Sequence, residues 1–200
     1  MFRTLTPIVR ALLYVNLIVY GLEWLTGDLL LQTFALWPLG TDRLSGEQPF
    51  EPWQLVTYAF LHDPASLWHL AGNMFALYMF GPDVESTLGW RRFLLYYFAC
   101  VIGAGLTQLW VGSGETIGAS GGIFGLLLFY GMTFPHRRLL LLFPPVPMPA
   151  WLFVTLYGVL ELSLGVFGRV QGVAHFAHLG GMATGLALIL YWRAVGRSSS

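Results

Sequence analysis

Six polar side chains stand inside otherwise apolar stretches of this sequence, and their types could support acyl transfer. They are His69, Asn73, Ser120, Glu161, His175 and His178. A serine hydroxyl is a weak nucleophile at neutral pH and is activated by an adjacent base, most often a histidine. The reaction also needs hydrogen-bond donors aimed at the oxyanion of the intermediate. We therefore predict Ser120 as the nucleophile and a histidine as the general base.

Ser120 stands in a glycine-rich stretch that predicts the first turn of a helix. The stretch is Gly118-Ala119-Ser120-Gly121-Gly122, and it follows Gly112-Ser113-Gly114. Backbone N–H groups of a first helical turn have no intrahelical partners, and the helix dipole adds positive character there. His69 and Asn73 are four residues apart, so both face one way from a helix and each can donate a hydrogen bond. The predicted oxyanion donors are the Ser120 N–H, His69 and Asn73.

The composition indicates that lipid is the solvent of these segments. Of 200 residues, 56% are hydrophobic and 10% are charged, and the mean hydropathy is +0.65. Soluble domains carry about 25% charged residues. A net charge of zero leaves no electrostatic footprint for nucleic acid. The single cysteine, Cys100, excludes an intrachain disulfide, and we expect it to be a small buried residue.

Apolar stretches that approach the roughly 20 residues needed to cross a bilayer occur at six places. The candidate spans are Pro7–Leu25, Leu67–Phe80, Phe93–Val111, Ala119–Phe134, Ala150–Val166 and Gly172–Trp192. No polar linker separates them, which predicts one all-α membrane domain over 1–200. Pro7–Leu25 is too long for the apolar core of a signal peptide, so we expect a retained membrane helix. The segment between the first two spans is expected to be a long external loop, partly lying in the interface as short helices.

The arginines orient the six spans. An even number of spans puts both termini on one side, and positive residues favour the cytoplasmic side. Most arginines then fall inside, namely Arg3, Arg10, Arg91, Arg92, Arg137, Arg138, Arg193 and Arg197, against Arg43 and Arg169 outside. Both termini are therefore predicted to be cytoplasmic.

Helix rise places three of the polar residues at one depth. At about 1.5 Å per residue, Ser120 lies roughly 26 Å from the cytoplasmic Arg137 and His178 lies roughly 22 Å from Arg193. His69 lies roughly 21 Å from the inner end of its span. The three residues therefore share a layer about a third of the way into the bilayer from outside.

Two glycine motifs could bring the nucleophile to its base. Gly121-x-x-x-Gly125 and Gly181-x-x-x-Gly185 are small-residue faces of the kind that let membrane helices approach closely. Packing of the fourth span against the sixth through these faces would bring Ser120 to the histidines of the sixth.

Several alternatives remain open on the residues alone. His175 and His178 lie one turn apart, so either could be the base. Glu161 lies near the same depth, and a Ser-His-Glu triad is an alternative, but a dyad is favoured because nothing in the sequence places Glu161 beside a histidine. A metal site from these three residues lacks a recognisable ligand spacing, so none is expected. A transporter would use broken helices and charge pairs near the midplane, for which Glu161 and the glycine-rich fourth span are the only support. His62 lies in the external segment and is expected to hydrogen-bond in the interface.

At the residues predicted to do the chemistry, the sequence resembles the rhomboid family of intramembrane serine proteases. Gly118-Ala119-Ser120-Gly121 resembles that family's serine motif, and His69-x-x-x-Asn73 resembles its oxyanion pair. Ala177-His178-x-x-Gly181-x-x-x-Gly185 resembles its base motif on the sixth helix and selects His178 over His175.

The resemblance runs from about Trp53 to Trp192. The loop with Trp53 resembles the family's membrane-dipping first loop, and Gly81-x-x-x-Glu85-x-x-x-Gly89 resembles its second-helix exit. Two residues depart from the family pattern. Gln54 stands where arginine is frequent, and Phe124 stands where tyrosine is frequent, although its ring could still stack on His178.

The resemblance implies a serine endopeptidase of the minimal six-helix bacterial type, acting inside the membrane with a Ser120–His178 dyad. Its implied partners are the lipid bilayer and transmembrane segments of other proteins, which would enter sideways near the fifth span and the loop before the sixth. No cofactor is implied, and the implied location is a bacterial cytoplasmic membrane. The oligomeric state is not set by the sequence. The non-enzymatic alternative is a catalytically silent client-binding protein, which would be expected to have lost the serine or the histidine.

Overall fold

The computed structural model describes residues 4–40, 48–112, 114–140, 146–167 and 174–198. Within these ranges the chain is mostly helical. Its elements are α1 (Pro7–Thr26), α2 (Leu29–Phe34), α3 (Gln54–Thr57), a 3-10 turn (Tyr58–Phe60), α4 (Leu67–Leu88), α5 (Trp90–Val111), α6 (Ser120–Thr133), β1 (Arg138–Leu140), β2 (Pro147–Pro149), α7 (Ala150–Phe167) and α8 (His175–Ser198).

Three helices of the described chain, α1, α5 and α7, are long and apolar enough to cross a membrane, and α6 is a shorter apolar helix. Each of the six predicted segments falls on a helix. The second is longer than predicted, because α4 continues through Pro82 to Leu88 and ends at Gly89, whose φ of 74° favours glycine. The sixth was expected to begin at Gly172, which lies outside the described residues, as do Arg3, Arg43 and Arg169.

Close helix contacts at glycine form the centre of the bundle. A Cβ on Gly181 of α8 would collide with the carbonyl oxygen of Gly121 on α6. A Cβ on Gly125 would collide with the Cys100 side chain of α5. The predicted close packing of the fourth and sixth spans is therefore present, and small residues make it possible. Cys100 is fully buried, as expected.

A buried carboxylate joins α4 to the beginning of α1. Both oxygens of Glu85 accept hydrogen bonds, one from the Ile8 N–H at 3.1 Å and the other from the Val9 N–H at 2.9 Å. The first N–H groups of a helix have no acceptor within the helix. Glu85, which is 4% exposed, therefore satisfies the N-terminus of α1 and fixes it against α4.

The segment between α1 and α4 is ordered by polar contacts in its described part. The Gln54 side chain is buried, accepts a hydrogen bond from the Trp37 N–H and donates to the carbonyls of Thr33 and Pro49. An antiparallel bridge pairs Leu36 with Thr116. Gln54, which departs from the pattern that the sequence otherwise resembles, thus connects three parts of this segment. The bridge joins the segment to the residues that precede α6.

The described chain is mostly helical, as the predicted all-α class requires, but it also contains a short β-hairpin. Strands β1 and β2 pair antiparallel between α6 and α7, with Leu139 opposite Met148. Each strand has 3 residues, which is too short to produce a recognisable alternation of polar and apolar side chains. The hairpin leads directly into α7, whose first residue, Ala150, donates its N–H to the Arg137 carbonyl.

Candidate active site

Ser120 and His178 are in direct contact. Ser120 is the first residue of α6 and His178 lies in the second turn of α8. The Ser120 Oγ is 2.7 Å from the His178 Nε2, which is the length of a good hydrogen bond. His178 is 9% exposed and Ser120 is partly buried. A hydroxyl that donates to an imidazole nitrogen is the arrangement in which histidine activates a serine.

The chain before Ser120 has a backbone conformation that requires glycine. Gly118 has a φ of 120°, and a Cβ at this position would lie 2.8 Å from the His69 Nε2. Glycine therefore serves both the turn into α6 and the close approach of His69. The N–H groups of the first turn of α6, including that of Ser120, have no acceptors within the helix. His69 and these N–H groups thus lie around the same turn.

The hydrogen bonding of His69 defines which of its nitrogens can donate. The Asp63 N–H donates to the His69 Nδ1 at 3.3 Å. A neutral imidazole that accepts at Nδ1 carries its proton on Nε2. The Nε2 is the atom that lies against Gly118. His69 therefore presents a donor to the turn that holds Ser120.

Asn73 is less directly placed than His69. It is buried, and its Nδ2 donates to the backbone carbonyl of His69 at 2.8 Å. A side-chain amide has two N–H groups, so one remains for another acceptor. The structure thus brings Asn73 to His69, and it brings His69 to the turn before Ser120.

The structure gives Glu161 the neighbours that were missing from the sequence. Its Oε2 lies 2.9 Å from the His178 Nδ1 and 2.7 Å from the His175 Nδ1. All three side chains are buried. The preference for a dyad depended on Glu161 having no identifiable partner. The geometry is instead a chain of contacts from Ser120 through His178 to Glu161, with His175 on the same carboxylate oxygen.

The cluster of Glu161, His175 and His178 also has the composition of a metal site. One ligand atom from each lies within 4.8 Å of the others. However, the Nδ1 atoms of His175 and His178 lie 2.7 Å and 2.9 Å from the same oxygen of Glu161, and these are hydrogen-bond distances. Direct hydrogen bonding accounts for these distances without an ion.

The predicted stacking of Phe124 on His178 is confirmed. The ring centroids are 4.2 Å apart and the planes differ by 7°. Tyr157 of α7 packs on Phe124, with the ring centroids 5.0 Å apart. Phe124 lies one turn after Ser120 on α6, so the helix that carries the nucleophile also supplies a flat surface for the base.

His62 lies next to this site and does not behave as expected. Its side chain is fully buried. The ring therefore packs inside the protein and is not exposed at a membrane interface. Its backbone N–H donates to Glu23 of α1, which holds the ring 5.1 Å from that of His69. Burial lowers the pKa of His62 to about 4.

Comparison with known proteins identifies relatives of the chain. It is 33% identical over 193 residues to Rhomboid protein 1, mitochondrial, of Saccharomyces cerevisiae, covering 90% of this chain and 51% of that protein. It is 31% identical over 152 residues to Rhomboid-like protein 11, chloroplastic, of Arabidopsis thaliana, covering 70% and 52%. It is 31% identical over 137 residues to the Rhomboid protease GluP of Bacillus subtilis, covering 68% and 25%. The chain thus spans about half the length of these relatives, or less.

The family assignment agrees with the site and the apolar helices. The model of the Rhomboid domain matches residues 49–194. This match includes every polar residue of the site described above. Proteins of this family are integral membrane proteins with apolar helices, and the names of the relatives refer to mitochondria and chloroplasts as well as a bacterium. By the extent of this match, the chain belongs to the rhomboid family.

Proposed function

We propose that this protein is an intramembrane serine endopeptidase that cleaves transmembrane segments of other membrane proteins. The observation that carries the proposal is the contact of 2.7 Å between the Ser120 Oγ and the His178 Nε2. It lies at the N-terminus of α6, where backbone N–H groups are free to receive an oxyanion. A nucleophile, a base and oxyanion donors are the parts that acyl transfer needs.

In the proposed reaction, the Ser120 Oγ attacks the carbonyl carbon of the scissile peptide bond. Its proton passes to the His178 Nε2, and the carbonyl oxygen becomes an oxyanion held by the Ser120 N–H, His69 and Asn73. His178 then returns the proton to the leaving nitrogen as the C–N bond breaks. Water, deprotonated in turn by His178, attacks the acyl carbon. His178 then returns this proton to the Ser120 Oγ as the ester bond breaks, which releases the carboxylic acid and restores the resting enzyme.

We propose six membrane spans, namely α1 and α4 to α8, with a long external first loop and both termini cytoplasmic. The length and composition of α1, α5 and α7 support this directly. Of the others, α6 is apolar but shorter. The site residues supply a reason why α4 and α8 are less apolar, because α4 carries His69 and Asn73 and α8 carries two histidines. Polar groups at such positions lower the hydropathy of a helix and are usually functional. The relatives come from organelles and a bacterium, so the bacterial cytoplasmic membrane is not supported as the location.

The proposed substrates are single transmembrane segments that reach Ser120 from the side. We expect them to enter near α7 and the segment 168–173, which lies outside the described residues. A transmembrane helix keeps its backbone groups in internal hydrogen bonds. Cleavage must expose a peptide bond, so small and helix-breaking residues near the scissile bond are expected in good substrates.

The test is cleavage of a panel of single-span substrates by purified protein in proteoliposomes. Wild type should cleave at least one of them, and Ser120→Ala should lower the rate by about 1,000-fold or more. Ser163→Ala is the matched control, since Ser163 is exposed on α7 and donates to the Val159 carbonyl. Its rate should equal that of wild type. Cleavage by Ser120→Ala at the wild-type rate would contradict the proposal. Binding of substrates without cleavage by wild type would favour a client-binding protein.

A further inference from the structure

Glu161 is a buried carboxylate that contacts the proposed base on the side away from the nucleophile. It is 4% exposed, on α7, and its Oε2 lies 2.9 Å from the His178 Nδ1. The other nitrogen of the same ring lies 2.7 Å from the Ser120 Oγ. The three side chains come from α7, α8 and α6 respectively. The imidazole thus lies between a hydroxyl and a carboxylate.

We propose that Glu161 is a positioning residue that completes a Ser120–His178–Glu161 triad, with His175 holding the carboxylate in place. This inference rests on the proposed function. It specifies which tautomer His178 has before attack, and it names Glu161 as the group that stabilises the protonated ring.

The first consequence is the tautomer of His178. An ionised carboxylate can only accept hydrogen bonds, so the His178 Nδ1 must carry a proton when it contacts ionised Glu161. The neutral ring then has its lone pair on Nε2, which faces the Ser120 hydroxyl. This is the tautomer that can remove the serine proton. In the other tautomer Nε2 would carry a hydrogen and could not act as the base.

The second consequence is compensation of charge during attack. As the Ser120 oxygen bonds to the substrate carbon, its proton moves to Nε2 and the ring becomes an imidazolium. Water screens such a charge poorly in a buried site, so a neighbouring carboxylate stabilises it strongly. The proton goes on from Nε2 to the leaving nitrogen. Glu161 neither takes up nor releases a proton in the cycle, in keeping with the role of the acid in other triads.

His175 explains how Glu161 stays in this position. It lies one turn before His178 on α8, and its Nδ1 is 2.7 Å from the same Oε2. Its Nε2 is buried and has no partner within the described chain, so its hydrogen bonding is directed at Glu161. The His178 ring is further held by the Phe124 stack at 4.2 Å. The base is therefore fixed at both nitrogens and on one face.

The experiment compares Glu161→Gln with Glu85→Gln in the full chain. The two glutamates are matched, because each is 4% exposed and each is contacted by two nitrogens. Glu161→Gln should lower kcat by about 100-fold to 10,000-fold, with KM changed by less than about threefold. Glu85→Gln should leave kcat per folded molecule within about threefold of wild type. Glu161→Asp, which keeps the charge on a shorter side chain, should recover part of the lost kcat.

A spectroscopic measurement keeps the proposal testable even if Glu161→Gln fails to fold. The chain has five histidines, so side-chain nitrogen NMR of histidine-labelled wild type can be assigned with single His variants. His178 should be protonated at Nδ1 and not at Nε2 in the resting enzyme. In Glu161→Gln the Nε2-protonated form should become populated. A His178 protonated at Nε2 in wild type would overturn the proposal.

The remaining outcomes separate this inference from the proposed function. If Ser120→Ala is inactive while Glu161→Gln keeps the wild-type kcat, only the role of Glu161 is overturned. If Ser120→Ala is fully active, the proposed function itself is overturned. Loss of wild-type activity on treatment with a chelator, restored by zinc, would show that Glu161, His175 and His178 hold a metal, and would replace the hydrogen-bonded triad.

Discussion

Glu85 and Glu161 are equally buried glutamates that lie at different places in the bundle. Glu85 accepts from two backbone N–H groups at the beginning of α1, whereas Glu161 is contacted by two imidazole nitrogens on α8. Backbone amides do not titrate, so Glu85 satisfies fixed donors and joins two helices. Imidazoles exchange protons near neutral pH, so the same carboxylate chemistry at Glu161 can control a reactive group. The partners, and not the burial, distinguish a structural carboxylate from a functional one.

The strongest test of this contrast is removal of each carboxylate in turn. Glu161→Ala should lower kcat by about 1,000-fold or more, because His178 loses the partner that orients it. Glu85→Ala should instead lower the free energy of unfolding by roughly 2 kcal/mol, because two N–H groups at a helix N-terminus lose their acceptor. Steady-state kinetics and denaturant titration in detergent measure the two effects. If Glu161→Ala, like Glu85→Ala, loses activity only in proportion to the fraction of unfolded protein, Glu161 has no role beyond stability and the contrast is wrong.

A smaller effect is expected from moving α8 away from α6. Gly181→Ala places a methyl group against the Gly121 carbonyl, so the helices must separate and the Ser120–His178 contact must lengthen. We expect a fall in kcat of about 10-fold to 100-fold and a destabilisation of roughly 1–3 kcal/mol. Gly21→Ala on α1 is the matched control, because a Cβ there meets nothing within 4 Å. Equal kinetics of the two variants would show that this contact does not position the site.

The stacking of Phe124 on His178 should matter less to kcat than the Glu161 carboxylate. Phe124→Leu keeps an apolar side chain but removes the flat ring, so kcat should fall by about 10-fold as His178 becomes less well oriented. Phe124→Tyr keeps the ring and should retain activity close to that of wild type. Kinetics at saturating substrate distinguish the two. A wild-type kcat in Phe124→Leu would mean that Glu161 and Ser120 suffice to hold the base.

The third buried glutamate, Glu23, extends the comparison to the dependence of stability on pH. It holds the backbone of His62, whose folded pKa of about 4 lies below the ordinary value of 6.5. The unfolded chain therefore binds this proton more tightly, so the contribution of His62 to the free energy of unfolding falls by roughly 3 kcal/mol as the pH is lowered from 6.5 towards 4. His62→Phe should lose less stability over this range, whereas His136→Phe at an exposed position should behave as wild type. Equal slopes for all three proteins would refute this assignment.

Much of the arrangement around Ser120 follows from regularities that a sequence displays. Constant rise per residue puts Ser120, His69 and His178 at one depth, and the glycine motifs indicate which helices can touch. The six predicted segments all fall on helices. The stacking of Phe124 was suggested by the family resemblance, because tyrosine is frequent at this position.

The two histidine partners of Glu161 could not be predicted from helix rise and glycine spacing. Depth along a helix does not give its rotation or its neighbours, and those depend on how α7 packs against α8. A signal was nevertheless present, since His175 and His178 lie one turn apart at the depth of Glu161. The burial of His62 and the short β1–β2 hairpin were missed for the same reason, because tertiary contacts define both.

In the proposed function, Ser120 is a nucleophile that His178 activates. The most direct measurement is covalent labelling by a fluorophosphonate probe, followed by mass spectrometry of the labelled peptide. We expect one adduct, on Ser120 of wild type, with none on Ser120→Ala and a much slower reaction with His178→Ala. Equal labelling of wild type and Ser120→Ala, or an adduct on another residue, would contradict it.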